Sequence, residues 1–304
     1  VNAAATRRLI SILRSHPLPK RRLPLPIARE EALARDYAAA IVRHAGPLRA
    51  VVAKVLPRIL VELEARRREL GRTDADTPGD KRRGRQIRDL LATAGPAARR
   101  ALALLEQAAS AVVDAFDPAA LKKLTERFGE TLTYQQRLAF DQVIRTAIGV
   151  PLSLIEGAVR VRLEEWAAAN VDLIRSLSSR YFDRLRLRTL EAFETGDHPN
   201  DLADEFERVY GMSERQANVI ARDQLGKLNG EVNQARQEAL GVTHYIWRTM
   251  RDNRVRDEHF ALEGQRVAWD DPPPVGPNGE PAHPGEAIQC RCYAEPDLSD
   301  LLKD

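Results

Sequence analysis

Both cysteines of the chain, Cys290 and Cys292, and two of its six histidines, His259 and His283, fall within residues 259–292. Two imidazoles and two thiols are the ligand set of a structural zinc site, in which four such donors close a tetrahedron. Residues 287–293 read as a strand, whose alternation puts Ile288, Cys290 and Cys292 on one face and Gln289, Arg291 and Tyr293 on the other. The two thiols then stand about 6.6 Å apart at Cα, a span better suited to one shared ion than to a mutual disulfide. The spacing is not that of a standard finger, and Asp252 is a further donor that can replace a histidine. The plain alternative is two reduced thiols beside two hydrogen-bonded histidines. A small module with few large apolar groups gains stability from any such cross-link.

A second chemistry is written in the same stretch. Arg254, Arg256 and His259, with Glu258 or Glu263, are residue types that stabilise a phosphate and move protons in a nuclease-like site. No Gly-rich phosphate cradle, Ser-His-Asp order or paired-acid metal site accompanies them, and nothing fixes a base beside Cys290. No catalytic activity is assigned on this basis, and Arg254, Arg256 and His259 stand only as catalytic candidates.

The elements that must position these residues are mainly α-helical. Asp252 as N-cap and Gly264 as C′ residue frame a helix of about ten residues, with Val255, His259 and Leu262 on one face. Before it, Val242, Tyr245, Ile246 and Trp247 favour a strand. Ser213 and Gln216 have capping-box spacing and start a helix whose stripe Ala217, Ile220, Ala221, Leu225, Leu228, Val232 and Ala235 runs to Gly241. A shorter helix capped by Asn200 and ending near Tyr210-Gly211 makes residues 200–228 a helix, turn, helix pair, an arrangement common in helical proteins and also used on DNA.

Farther upstream, the breaks fall at Gly46-Pro47, Gly71, Pro78-Gly79, Gly95-Pro96, Pro118, Gly129 and Gly149-Pro151. A helix spans Val171 to about Thr195 and stops at Gly196. Within Ala97–Phe116, Leu102, Leu105, Ala109, Val112, Val113 and Phe116 form one buried stripe. The predicted organisation is an extended Pro/Arg-rich arm over residues 1–27, a multi-helical domain over 28–196 and a region over 197–304 that ends in a small α+β module from about residue 242.

Charge is unevenly placed. Residues 1–100 carry 23 Lys/Arg against 10 Asp/Glu, whereas residues 101–304 carry 24 against 34. Lys20, Arg21 and Arg22 in the arm, and Lys81, Arg82, Arg83 and Arg85 in a polar loop, are the candidates for contact with an acidic partner, double-stranded DNA phosphates included. The longest uncharged run, Thr146–Ile155, is about half the length of a bilayer-spanning helix, so no membrane partner is expected. The chain begins Val1-Asn2-Ala3 without an initiator Met or the order of a secretion signal. That points to a trimmed start and a cytoplasmic or assembled setting.

Several features occur together in one order: Ile220-Ala221-Arg222-Asp223-Gln224, Gly241-Val242, Tyr245-Ile246-Trp247, Thr249, Asp252, Arg254-Val255-Arg256, His259 and Gly264. His283-Pro284-Gly285-Glu286 and Cys290-Arg291-Cys292 complete the series. With Asn170, Leu173-Ile174 and Tyr181 upstream, residues 165–296 resemble the phage Mu F-like minor head proteins, the phage head morphogenesis family. The resemblance implies a minor capsid component of a tailed phage or prophage, located in the virion at the portal vertex or capsid interior and in the host cytoplasm during assembly. It implies the portal protein as partner, with scaffold or major capsid protein beside it, and an influence on packaged DNA. Asp252, Arg254, Arg256, His259, Gly264, His283, Pro284, Gly285, Cys290, Arg291 and Cys292 are carried over as signature positions, without a catalytic role. Two other functions are weighed against it: a nuclease-like or nucleotide-modifying enzyme carried in the head, and a non-specific DNA-binding protein.

Overall fold

The structure, a computed structural model, describes residues 27–45, 47–71, 87–114, 117–148 and 156–299. The expected arm with Lys20, Arg21 and Arg22, the basic loop with Lys81, Arg82, Arg83 and Arg85, Gly46 of the first break, the breaks at Pro78-Gly79 and Gly149-Pro151, and Phe116 lie outside these residues.

The described chain is mainly α-helical and ends in a small antiparallel sheet, as its composition and breaks predict. Its elements are α1 (Ile27–Ala45), α2 (Pro47–Glu69), α3 (Ile87–Thr93), α4 (Pro96–Asp114), α5 (Pro118–Ile148), α6 (Glu156–Thr195) and α7 (Pro199–Ala239). They continue with β1 (His244–Thr249), α8 (Asp257–Phe260), β2 (Arg266–Ala268) and β3 (Cys292–Pro296). Proline opens α2, α4, α5 and α7, the position where its fixed φ suits a helix and its missing N–H is not needed. Gly196 (φ 70°) and Gly241 (φ 82°) close α6 and α7. At Gly241 the Val242 N–H donates to the Gln237 carbonyl and the Gly241 N–H to that of Glu238, the paired bonds of a Schellman end.

The chain forms two compact units, both discontinuous in sequence. One comprises residues 39–121 and 171–218. Its core joins Leu48, Val52, Ile59 and Leu63 of α2 to Ala101, Leu102, Leu105 and Val112 of α4, and adds Phe182, Leu185, Phe206 and Val209. The expected α4 stripe needs one correction, because Val113 is 64% exposed. Ala97, Ala98, Ala101, Leu104 and Ala108 widen the buried face instead.

The other unit contains residues 122–170, the described residues up to Ala38, and Val219 onward. Here Gly129 does not end a helix. It lies inside α5, where an added Cβ would stand 2.3 Å from Leu163 Cδ1 and 2.9 Å from Trp166 Cζ3, so glycine allows close packing. The sheet has the order β2-β1-β3. Tyr245 pairs with Val267, Trp247 with Ala294 and Thr249 with Cys292. Tyr245, Trp247 and Thr249 point inward on β1, and Tyr245 and Trp247 pack with Val267, Trp269, Val275, Ala282 and Ala294. The strand expected near Val242 is therefore present but starts at His244.

Three further expectations change. α6 ends at Thr195 as predicted but starts at Glu156 rather than Val171. The helix, turn, helix pair is a single helix: α7 runs unbroken through Gly211 and Ser213. Ser213 Oγ donates to the Val209 carbonyl one turn earlier (3.2 Å), so it caps nothing. Asn200 is in the first turn, where its N–H donates to His198 Nδ1 (3.2 Å). The apolar stripe explains the continuity, since Leu202, Phe206 and Val209 keep the helical period into Ala217, Ile220 and Ala221.

Candidate metal centre

His259 is carried by a single helical turn, not the ten-residue helix expected between Asp252 and Gly264. The flanking residues are committed elsewhere. Asp252 Oδ1 accepts from the Arg254 N–H (3.1 Å), a local turn that competes with helix. Gly264 (φ 84°) donates its N–H to the Trp247 carbonyl (2.8 Å). Glu263 Oε2 accepts from both the N–H and the hydroxyl of Thr249 (2.6 and 2.8 Å). The Glu263 and Gly264 bonds tie the C-terminal end of the turn to the end of β1 and set His259 against the sheet.

The imidazole is 2% exposed and stands edge-on to Trp247, with ring centroids 5.6 Å apart. Nε2 donates to the Val275 carbonyl (3.1 Å), leaving Nδ1 with its lone pair. That atom faces Cys290 Sγ and Cys292 Sγ, each at 3.5 Å. The three donor atoms lie within 4.8 Å of one another. An imidazole oriented by a backbone carbonyl through its other nitrogen is the usual support of a metal-binding histidine, and two thiols with one imidazole suit zinc. This His/Cys/Cys group can bind a metal ion.

The thiols meet for a reason other than the predicted alternation. Residues 287–290 form a turn, not a strand, and β3 starts only at Cys292. Gln289 takes a left-handed backbone (φ 53°), and its N–H donates to Asp223 Oδ1 of α7 (2.8 Å). The Cys290 N–H closes the turn on the Ala287 carbonyl.

The protons respond to this crowding. The hydrogen bond from Cys292, which outweighs burial, together with the neighbouring His259, holds the Cys290 thiol well below its usual range. The reciprocal bond and burial push Cys292 up. The Cys290 sulfur raises His259 against the effect of burial. Binding a metal ion to these atoms would displace the protons they carry.

His283, the fourth expected ligand, lies elsewhere. Its Nδ1 meets the Tyr245 hydroxyl at 3.0 Å, its ring packs on Trp269, and burial lowers its pKa. The His283-Pro284-Gly285-Glu286 motif forms a turn in which Glu286 Oε2 accepts from the His283 N–H (2.6 Å). Gly285 (φ 99°) faces Gly226 and Gly230 of α7. A Cβ on Gly230 would stand 2.7 Å from the Pro284 carbonyl oxygen, and one on Gly285 3.0 Å from that of Gly226. The motif is thus a dock between loop and helix. Asp252, the proposed substitute ligand, pairs with Arg291 at 2.5 Å and with Arg254 at 3.4 Å.

The signature arginines surround the thiols. Arg254 and Arg291 both donate to Glu31 Oε1 of α1 (3.2 and 3.0 Å), and these bonds hold the carboxyl of Glu31 below its ordinary value, Arg291 contributing most. Arg256 Nη2 donates to the Ile288 carbonyl (2.8 Å). Arg254, Arg256, Arg291, Cys290 and Cys292 line a pocket of about 390 Å3, which His259 does not line. The three catalytic candidates are therefore split: the arginines reach the pocket, while both ring nitrogens of His259 are engaged behind it.

Sequence reasoning missed Glu31, Asp223 as the anchor of the turn, and Val275 as the carbonyl that orients His259. Glu31 lies in an ordinary amphipathic helix far upstream and carries no local signal. Asp223 was visible within the Ile220–Gln224 motif, but its role depends on a contact distant in sequence.

Residues 183–295 match the family described as Phage Mu protein F like protein. The matched segment takes in every motif that carries the resemblance except those at Asn170, Leu173-Ile174 and Tyr181, so the resemblance holds there. A protein of Haemophilus influenzae, named only "Uncharacterized protein", is 35% identical over 133 residues, which is 44% of this chain and 29% of that protein. The chain thus spans less than a third of that relative. No solved structure matches the chain.

Proposed function

We propose that this chain is a minor head protein of a tailed phage or prophage, acting in head morphogenesis near the portal vertex. The observation that carries the proposal is the phage Mu F-like segment 183–295. From Val219 onward it holds the C-terminal half of α7, all of the sheet but Pro296, the docking turn and the His259/Cys290/Cys292 group within one compact unit. The portal protein is the proposed partner, with scaffold or major capsid protein beside it, and handling of packaged DNA is the proposed downstream effect. One zinc ion on the three donors would cross-link the α8 turn to β3 and stabilise the small sheet module, whose apolar core is modest.

The test is deletion of the gene from an inducible phage, with the particles counted by electron microscopy. DNA-filled heads should fall sharply, and the intact gene should restore them. Normal yields of infectious, filled heads after deletion would reject the assembly role.

A further inference from the structure

This inference rests on the proposed metal and concerns what else touches it. Three donors converge, but a tetrahedral ion takes four. His283 is held by Tyr245 and Trp269, and nearby acids have other partners. Glu263 binds Thr249 and Arg251, Asp223 binds Gln289 and Lys227, and Asp252 and Glu31 bind Arg291 and Arg254. His259 approaches from the buried side, whereas both cysteines line the 390 Å3 pocket. Arg222, Arg254 and Arg256 line that pocket too and are exposed.

We infer that the fourth coordination position opens into this pocket and takes an exchangeable phosphate oxygen. Zinc held by two thiolates and a neutral imidazole has no net charge, and Arg222, Arg254, Arg256 and Arg291 outnumber the two acids that line the pocket, Glu31 and Asp223, so the local potential favours an anion. The phosphate is either free or part of a nucleic-acid backbone, two sources with the same chemistry.

Full-length protein loaded with Co2+ tests this. Metal content and visible absorption are followed while inorganic phosphate, and separately a short DNA duplex, is added. About one ion per chain is expected, with an absorption band that shifts saturably. Arg222→Ala should weaken the phosphate midpoint about tenfold, the loss of one charge-assisted contact, at unchanged metal content. A shift with phosphate alone assigns the free anion, and a shift with the duplex assigns the backbone. Bound metal with a band that neither additive moves describes a closed site and overturns this inference while the metal reading stands. Absence of metal overturns both. A folded His283→Gln variant should keep its ion, and losing it would restore the four-ligand site and contradict an open position.

Discussion

At the residue scale, the site is governed by how few polar atoms remain uncommitted. Glu263 shows the principle. Burial raises its pKa, but the Thr249 N–H, Arg251 and the Thr249 hydroxyl outweigh it and hold the carboxyl at about 2 against an ordinary 4.5. A depressed folded-state pKa contributes stability above the unfolded value, and that stability is lost as pH falls from about 4.5 towards 2. Glu263→Gln should therefore destabilise the protein by about 1–3 kcal/mol near neutrality, the loss of a charge-assisted pair of bonds. The difference from wild type in urea unfolding at matched pH should shrink through that acid window; a difference independent of pH would refute the assignment. The donors of the site were legible because histidine and cysteine are rare and chemically distinct. Their number was not. His283 has the right type, but its fate depends on Tyr245 and Trp269, which only the folded sheet brings to it.

At the element scale, α7 is the support on which the site is built. Asn233 and Gln237 donate to the Ala294 carbonyl of β3 (2.7 and 3.0 Å), and Gly226 and Gly230 receive the docking turn. Two glycine substitutions on this helix should have opposite signs. Gly211→Ala should stabilise by about 0.5–1 kcal/mol, because the position is mid-helix and an added Cβ meets only Arg215 Nη1, at 3.7 Å. A turn at Gly211 would reverse the result. Gly230→Ala should cost about 1–3 kcal/mol despite better helix propensity, because its Cβ would press on backbone at Pro284. Thermal unfolding of both variants decides. The stripe and the helix ends at Gly196 and Gly241 were legible, since periodicity and left-handed glycine are local signals. The capping box at Ser213 misled because a local motif gives way when apolar periodicity continues through it. The 287–293 strand misled because alternation cannot reveal that Asp223 holds Gln289 in a left-handed turn.

At the scale of the whole molecule, the uneven charge acquires a narrower meaning. Many described arginines in the basic first hundred residues are internally paired. Arg49 meets Glu207, Arg100 meets Glu62, and buried Arg67 donates to the Gly196 carbonyl. If the remaining surplus binds DNA, affinity should fall steeply between 50 and 200 mM salt, by about 10³-fold or more for six phosphate contacts. A flat salt response in fluorescence anisotropy would remove DNA from the partners. The mainly helical class was legible from composition and helix breaks, and the phage resemblance from the order of short motifs. The interleaving of the two compact units was not, since it depends on contacts between segments more than a hundred residues apart.

The central claim, that this chain is a component of a phage head, is tested most directly by mass spectrometry of gradient-purified particles from an induced host. Peptides from residues 183–295 should be present at a constant ratio to the portal protein across independent preparations. Heads that contain portal and major capsid protein but none of these peptides would contradict the claim.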